Sequence, residues 1–344
     1  MIVSNQTALP STSGESCSIP CNHCLGTDVE QVGWIDRSGA ELRTVICRGC
    51  GLVYTDPRPT PEQTRKFYAE EYRLAYKAAY TPRPKHAYRE TLRALARVHE
   101  LKSILQPGQK LLDVGCGGGF FVYALNQHGI QAQGIEPNQG FAGYACDELK
   151  VPVQNAFLQD VDFPAGTFDI VTLNHVLEHV EDPAATLSRL SGWIKPNGFL
   201  VVEVPNVEAT YHAPRNRYHV GHLYNFNRLT LEGIGRRAGL NIHRSTLVTG
   251  SRHLHVTFQH PAQPLPPVGE LGSPENYQRV RKILRKHTSL AHFTSSVPYV
   301  RAARKQWQNF IEWRQTRTAG SGREIVDSLI ETVSLDAAGA SSSR

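Results

Sequence analysis

The sequence predicts an α/β fold, in which a largely parallel sheet is covered by helices on both faces. The chain has 344 residues, of which 40% are hydrophobic and 20% charged, as in a soluble globular protein of roughly two domains. Between residues 107 and 240, short apolar runs alternate with helical patterns, which predicts repeated β-α units. Two strand-like runs then follow without a helix between them, and this predicts an antiparallel hairpin at the edge of the sheet.

The predicted strands and helices follow one another in a regular order. Strands are predicted at KLLDVG (110–115), QAQGIEP (131–137), VPVQNA (151–156), FDIVTLNH (168–175), GFLVVEVP (198–205), 241–249 and 253–260. Helices are predicted over residues 120–128, 138–149, 183–194 and 229–238. Proline and glycine mark the ends of these runs, as at Pro107-Gly108 and Ala238-Gly239.

Changes in composition divide the chain into six segments. A polar stretch rich in Ser and Thr predicts disorder at the amino terminus, and a repeat of Tyr68, Tyr72, Tyr76 and Tyr80 predicts a helix in the third segment. The predicted segments are a disordered terminus (1–16), a cysteine-rich module (17–60), a helical connector or lid (61–106), the α/β domain (107–261), a proline-rich linker (262–274) and a basic helical extension with a frayed tail (275–344).

The net charge of +6 comes entirely from the last part of the chain. Residues 1–250 carry 24 basic and 24 acidic side chains, whereas residues 251–344 carry 13 and 7. A solvated helix face explains this excess, as does a docking surface for an anionic substrate portion, a partner or a membrane. The sequence has neither an apolar run approaching about 20 residues nor a secretory signal pattern, so we expect a cytoplasmic protein.

Four of the seven cysteines form two C-x-x-C pairs, Cys21/Cys24 and Cys47/Cys50, separated by 22 residues. Two such pairs can supply the four thiolates of a tetrahedral structural zinc site, and a metal-free or redox module is the alternative. The intervening residues predict a hairpin. Segment 17–60 carries four basic and five acidic residues, too little positive charge for nucleic-acid binding. We therefore expect this zinc ribbon to pack on the α/β domain and shape its substrate cleft.

A glycine-rich loop, Asp113-Val-Gly115-Cys-Gly117-Gly-Gly119, connects a predicted strand to a helix. A dinucleotide site requires G-x-G-x-x-G, but Phe120 occupies the position of the third glycine. The carboxylate of Asp113 would repel a pyrophosphate and can instead bind an ammonium group, which favours S-adenosylmethionine. Glu136 ends the next strand, where a carboxylate can accept hydrogen bonds from ribose hydroxyls. An ordinary tight turn is the alternative interpretation of the loop.

The runs LLDVGCGGGF, GIEPN, FDIVTLNHVLEHV and PNGFLVVEVPN resemble the successive motifs of class I S-adenosylmethionine-dependent methyltransferases, over about residues 105–261. The resemblance implies a Rossmann-like, seven-stranded sheet whose last strand is antiparallel. It also implies cofactor contacts: Gly115 and Gly117 at the methionine end, Glu136 at the ribose, Asn155 and Ala156 near the adenine, and Asn174 and His175 near the sulfonium. The cysteine pairs and GLVYTDPRPT extend the resemblance to bacterial members with an amino-terminal zinc-binding domain, which include enzymes of polysaccharide and antibiotic pathways.

Two histidine motifs lie where loops leave the carboxyl end of the predicted sheet, at His175-Val-Leu-Glu178-His179 and around His222. The first also has the H-x-x-E-H spacing of a zinc-protease motif, but a strand end is the wrong context for that helical site. Sugar C-methyltransferases similar to this chain carry a catalytic Glu-His pair near the second motif. His222 matches the histidine, but Gly221 replaces the glutamate, which favours methylation of oxygen over carbon.

These observations predict a methyltransferase that acts on a small-molecule or glycan acceptor, with a structural zinc ion. We expect His222, and in second place His179, to act as a base or substrate anchor. Stabilisation of their loops is the alternative role for both histidines. Two other functions remain open: an RNA methyltransferase whose ribbon docks nucleic acid, and a non-catalytic interaction protein that retains the fold. The sequence names neither the acceptor nor the oligomeric state.

Overall fold

The computed structural model describes residues 18–66, 81–247, 252–263, 265–266, 269, 272–317 and 321–341. The predicted disordered segment 1–16, the tyrosine repeat of the connector and part of the linker lie outside these residues. Contacts between residues divide the chain into two compact units. The first unit comprises Met1–Phe67 and Phe163–Arg301, and the second comprises Tyr68–Asp162 and Ala302–Arg344.

Strands and helices alternate through the middle of the chain, as the sequence predicts. The strands are β1 (Val29–Ile35), β2 (Glu41–Cys47), β3 (Val53–Thr55), β4 (Lys110–Val114), β5 (Gln131–Ile135), β6 (Val153–Gln154), β7 (Phe168–Asn174), β8 (Ile194–Pro205), β9 (Tyr224–Asn225), β10 (Asn241–Leu247) and β11 (His253–Gln259). The helices are α1 (Pro61–Lys66), α2 (Pro84–Leu101), α3 (Phe120–Gln127), α4 (Gln139–Asp147), α5 (Pro183–Trp193), α6 (Arg228–Arg237), α7 (Pro274–Lys286), α8 (Ser289–Phe293), α9 (Val297–Thr316) and α10 (Gly322–Ser341).

A seven-stranded sheet, in the order β10-β11-β8-β7-β4-β5-β6, confirms the predicted fold class. Strands β4, β5 and β6 pair in parallel, as do β7 and β8. Strand β11 is antiparallel to both β8 and β10, which confirms the predicted edge hairpin. The predicted strand at 151–156 is shorter than expected, because only Val153 and Gln154 pair with β5.

Helices of the second unit pack around its parallel strands. Gly119 begins α3 with a left-handed backbone (φ 76°), and a Cβ there would lie 2.7 Å from that of Ala145 on α4. Only glycine allows this close approach. Ile325, Val326 and Ile330 of α10 are buried, and α10 packs against α2. Across the described residues, no helix is both long enough and apolar enough to cross a membrane.

The cysteine-rich segment supplies three strands of a four-stranded antiparallel sheet in the first unit, and its predicted hairpin is confirmed as β1 and β2. The fourth strand is β9, which pairs with β3 through Tyr54 and Tyr224. Both tyrosine side chains are almost fully buried. The sheet of the ribbon is therefore completed by residues that directly follow His222.

The first helix of the basic extension packs on the ribbon. Val280 of α7 is fully buried in a cluster with Ile46 and Val53. The basic side chains beside it find acidic partners: Arg281 lies 2.7 Å and Arg285 3.2 Å from carboxylate oxygens of Glu30, and Arg279 lies 2.6 Å from Glu208. Much of the positive charge on α7 is therefore matched by acidic groups of the same unit.

Gly233 of α6 offers a direct test of ribbon packing, because a Cβ at this position would overlap the imidazole of His23. We expect Gly233→Ala to lower the free energy of unfolding by about 1–3 kcal/mol, as overpacked sites do. Gly192→Ala is the matched control, because nothing lies within 4 Å of its added Cβ on α5. That change should be neutral or stabilising by up to about 1 kcal/mol. Urea denaturation measures the free energy of unfolding of both variants. Equal effects of the two substitutions would contradict the close contact between Gly233 and His23.

Candidate functional site

The four paired cysteines meet in one cluster. Their sulfur atoms all lie within 4.8 Å of one another, and Cys21–Cys50 and Cys24–Cys47 are each separated by 3.5 Å. A tetrahedral zinc ion with Zn–S bonds of about 2.3 Å sets its sulfur atoms about 3.8 Å apart. All four thiols are free of disulfide bonds. The donor set and spacing therefore fit a structural zinc ion, as the sequence predicts.

The electrostatics of the cluster also favour a cation. Hydrogen bonding to Cys21 lowers the pKa of the Cys24 thiol, whereas hydrogen bonding among the sulfurs raises the pKa of Cys50. Without a cation, mutual repulsion at these distances therefore disfavours four thiolates. The turns that present them are tight, and Gly51 follows the second pair with φ 80°. Its amide donates to the carbonyl of Cys47 at 2.8 Å.

The first cysteine turn contacts the segment that follows the first histidine motif. Between the paired cysteines, the Asn22 side chain donates to Asp182 at 2.8 Å and accepts from the Ala184 amide at 3.1 Å. Arg58, beyond β3, donates to the carbonyl of Glu181 and, at 3.0 Å, to the hydroxyl of Tyr224. The ribbon thus holds the chain next to both histidine motifs.

In the second unit, the glycine loop bends around the carboxylate of Glu136. Gly115, Gly117 and Gly119 all have positive φ, between 58° and 76°. Glu136 is only 2% exposed, and one of its oxygens accepts from the Gly117 amide at 2.8 Å. The other oxygen accepts from the Asn138 amide at 3.1 Å. The two sequence features predicted to bind the cofactor are therefore joined by a hydrogen bond.

The remaining predicted cofactor residues lie at strand ends. The Asn155 side chain donates to the backbone carbonyl of Glu136 at 2.9 Å, which confirms that these residues are neighbours. Asp113 is a buried residue of β4, two residues before the loop. Asn174 is the last residue of β7 in the first unit and lies opposite Glu203 of β8.

The loop and its surroundings fit S-adenosylmethionine. Four of the five residues at 115–119 are glycine, so Cys116 is the one residue of this stretch that has a side chain. This leaves the loop backbone open to close approach by a ligand. Each carboxylate oxygen of Glu136 has more than one lone pair, so both can still accept from ribose hydroxyls.

In the first unit, the structure brings the two predicted catalytic histidines together. The rings of His179 and His222 are 4.8 Å apart, and His219 lies 5.2 Å from His222. Polar atoms of Glu178, His179 and His222 lie within 4.8 Å of one another. The residues following β7 form a short 3₁₀ turn, Leu177–His179, so the helical zinc-protease arrangement is absent from this motif.

Two features suit this histidine cluster to proton transfer. His179 Nδ1 contacts the carbonyl of Gly221 and must donate to it, which leaves the lone pair on Nε2. Burial, reinforced by the neighbouring His179 and His219, lowers the pKa of His222 well below its usual value near 6.5. His222 is therefore neutral at pH 7 and able to accept a proton.

A second cluster joins residues of which the sequence analysis singled out only His175. His175 Nε2 lies 2.9 Å from Glu203 Oε1, and His253 Nδ1 lies 3.1 Å from the same oxygen. Burial opposes a charge on His175, but hydrogen bonds to Glu178 and Glu203 raise its pKa to about 9. Burial lowers the pKa of His253. The one sequence signal for Glu203 was a carboxylate inside the apolar run VVEVP.

Comparison with known proteins agrees with the fold and the glycine loop. Residues 85–245 match the family described as methyltransferase domain. An ubiquinone biosynthesis O-methyltransferase from Rhodopseudomonas palustris (strain TIE-1) is 36% identical over 104 residues, which are 29% of this chain and 41% of that protein. The ubiquinone biosynthesis O-methyltransferase of Methylococcus capsulatus is 37% identical over 97 residues, which are 26% of this chain and 41% of that protein.

The chain thus spans about two fifths of the length of these curated relatives. Among solved structures, an S-adenosylmethionine dependent methyltransferase from Mesorhizobium loti has a TM-score of 0.41 and 17% identity, covering 48% of this chain and 97% of that chain. The predicted glycine loop, the acidic residue Glu136 and the first histidine motif all lie within the residues that match the methyltransferase-domain family.

Proposed function

We propose that this protein is an S-adenosylmethionine-dependent methyltransferase that methylates an oxygen atom of a small-molecule or glycan acceptor. The contact between the buried Glu136 carboxylate and the Gly117 amide carries the proposal, because it joins the two elements that a nucleoside cofactor requires. The match to methyltransferase domains supports the reaction class. The named relatives are O-methyltransferases of ubiquinone biosynthesis, so they support an oxygen acceptor but not a polysaccharide pathway.

In this proposal, the residues of the second unit bind and orient the cofactor. The Glu136 carboxylate would accept hydrogen bonds from the ribose, the Asp113 carboxylate would pair with the ammonium group, and the glycine loop would let the backbone approach the cofactor closely. Asn155, next to Glu136, would border the adenine. When bound, S-adenosylmethionine supplies a methyl group on a positively charged sulfur, which makes the methyl carbon open to attack by an oxygen.

The histidine cluster of the first unit accepts the proton that the acceptor loses. Bound S-adenosylmethionine would supply the methyl group to the acceptor oxygen, and its sulfur would keep the electron pair of the carbon–sulfur bond. The hydroxyl proton passes to an imidazole nitrogen of His222, with His179 beside it. A neutral, half-buried histidine suits this role, because a base accepts a proton efficiently only when it is unprotonated at the working pH.

The zinc ion is structural in this proposal. Four thiolates saturate a tetrahedral zinc ion and leave it no open position for a substrate. The ribbon contributes instead by pairing β3 with β9, which directly follows His222 in the chain.

Cofactor binding is tested by calorimetry with S-adenosylmethionine. We expect Glu136→Ala to weaken binding by about 10- to 100-fold, because hydrogen bonds to a charged group contribute about 1.5–3 kcal/mol. Asp147→Ala, an exposed carboxylate on α4, is the matched control and should bind as the wild type does. Equal affinities of the wild type and Glu136→Ala would remove Glu136 from the cofactor site.

The reaction itself is tested by transfer of a labelled methyl group to quinol, sugar-nucleotide, glycan and RNA acceptors. Transfer to a hydroxyl of one of the first three classes supports the proposal. Transfer to RNA alone would support the nucleic-acid alternative and overturn the acceptor class. Binding of S-adenosylmethionine without transfer to any acceptor would favour the non-catalytic alternative.

A further inference from the structure

Three side chains from three elements converge on one point of the first unit. His175 directly follows β7, Glu203 lies near the carboxyl end of β8, and His253 begins β11. The strands are paired in register, with Glu203 opposite both Asn174 and His255. The amide of His175 donates to the carbonyl of Glu203 at 2.8 Å. The convergence is therefore built into the pairing of adjacent strands.

We propose that His175 Nε2, Glu203 Oε1 and His253 Nδ1 bind a divalent transition-metal ion. The nitrogen–oxygen distances of 2.9 and 3.1 Å, which also suit hydrogen bonds, are close to those between neighbouring ligands of one ion, and the three ligand atoms lie within 4.8 Å of one another. Metal–ligand bonds of about 2.1 Å at tetrahedral or octahedral angles set adjacent ligand atoms about 3.0–3.4 Å apart. Two imidazoles and one carboxylate form a common ligand set for first-row divalent ions.

The other nitrogen of His175 provides independent support. Its Nδ1 lies 3.3 Å from Oε1 of Glu178, a carboxylate that is only 1% exposed. Histidines that bind metals almost always direct their second nitrogen to a carboxylate or carbonyl, which fixes the ring orientation. If Nδ1 donates to Glu178, the lone pair of Nε2 faces the Glu203 oxygen. Either a second ring proton or a metal ion must then lie between Nε2 and this oxygen, and we assign the place to the metal ion.

Backbone strain also points to a constrained role for His175. Its φ of 58° is in the left-handed region, which costs a residue other than glycine about 1–3 kcal/mol. The side chains of His175 and His253 are about one third exposed, so an ion can enter. Three protein ligands leave open coordination positions. An oxygen of the acceptor would occupy one of them, and this part of the inference rests on the proposed function.

The site is tested on the full-length, zinc-loaded protein by titration with Mn²⁺, whose free-ion EPR signal disappears on binding. Mn²⁺ prefers oxygen and nitrogen ligands, so it reports on this site and not on the four thiols. We expect the wild type to bind one Mn²⁺ beyond its zinc. Glu203→Gln and His253→Ala should each weaken binding at least tenfold, and Glu178→Gln about 10- to 100-fold.

His243→Ala, which removes an exposed imidazole on β10, is the matched control and should bind Mn²⁺ as the wild type does. Unchanged zinc content and thermal unfolding would show that each variant is folded. The proposed metal site is overturned if the wild type binds no Mn²⁺, or if Glu203→Gln binds Mn²⁺ as tightly as the wild type does. In either case a proton, and not a metal ion, lies between His175 and Glu203. Because this titration contains neither cofactor nor acceptor, its failure is distinct from failure of the proposed function.

The acceptor contact needs a second measurement. Mn²⁺ should raise the methyl-transfer rate of the wild type and leave that of Glu203→Gln unchanged. A wild type that binds Mn²⁺ but transfers methyl groups at the same rate with and without it would overturn the contact with the acceptor.

Discussion

Turnover should fall by about 10²- to 10⁴-fold when His222 is replaced by alanine, the usual contribution of a positioned general base. Affinity for S-adenosylmethionine should change little, because the proposed cofactor contacts belong to the second unit. The measurement compares kcat from labelled methyl transfer with the dissociation constant from calorimetry. Unchanged turnover would remove His222 from catalysis. A parallel loss of turnover and cofactor affinity would instead indicate a structural role.

The pH profile separates a base from a residue that only holds its loop. Burial, the neighbouring histidines and the charge of Arg37 all lower the pKa of His222. Wild-type kcat should therefore stay constant as the pH falls through 6.5 and decline only at lower pH. In His222→Gln this decline should disappear. The same shift makes folding less favourable below about pH 6.5, because the unfolded histidine then binds a proton that the folded one does not. Rates must therefore be measured where the protein remains folded.

Replacement of both Cys47 and Cys50 by serine should abolish zinc binding and disrupt the ribbon. Structural zinc sites bind their ion with about 10 kcal/mol or more, so two ligands cannot be removed without a large loss of stability. Metal analysis of the wild type should find about one zinc ion per chain, because the four thiolates form a single tetrahedral site. Cys146→Ser is the matched control, because this exposed thiol lies outside the cluster and should leave the zinc content unchanged. A fully folded wild type without metal would contradict the zinc site.

Loss of the ribbon should also lower turnover. Strand β9 pairs with β3, and the Thr55 hydroxyl donates to the carbonyl of His222 at 3.3 Å. An unfolded ribbon would release this segment and misplace the histidine. We therefore expect the double variant to lose methyl transfer while still binding S-adenosylmethionine. Retained transfer in the absence of zinc would show that the ribbon does not position His222.

Local sequence patterns predicted most of the α/β fold. Short apolar runs marked β7 and β8, and Gly119 marked the start of α3, because strand and helix signals depend on near neighbours in the chain. The ends of short elements were less accurate. Strand β6 covers two of the six predicted residues, since the strand ends where its pairing with β5 ends.

The candidate sites divide along the same line. The glycine loop with Glu136 and the cysteine pairs could be found from the spacing of residues in the sequence. Each half of these two sites is a short motif that supplies nearly all the ligands of that half. The His175–Glu203–His253 cluster could not be found in this way, because its members lie in or next to three strands that pair only in the folded sheet. The acidic partners of Arg281 and Arg279 were equally hidden, since Glu30 and Glu208 are far from them in sequence.

The sequence by itself determined the class of fold, the loop that fits S-adenosylmethionine and the four thiols that fit zinc. Each depends on residues a few positions apart, whose relative placement follows from turn and strand geometry. Only the tertiary structure decided that His179 meets His222, that β9 completes the ribbon sheet and that two histidines share the Glu203 carboxylate. These contacts depend on strand register and on the packing of buried side chains, which act between residues far apart in the chain.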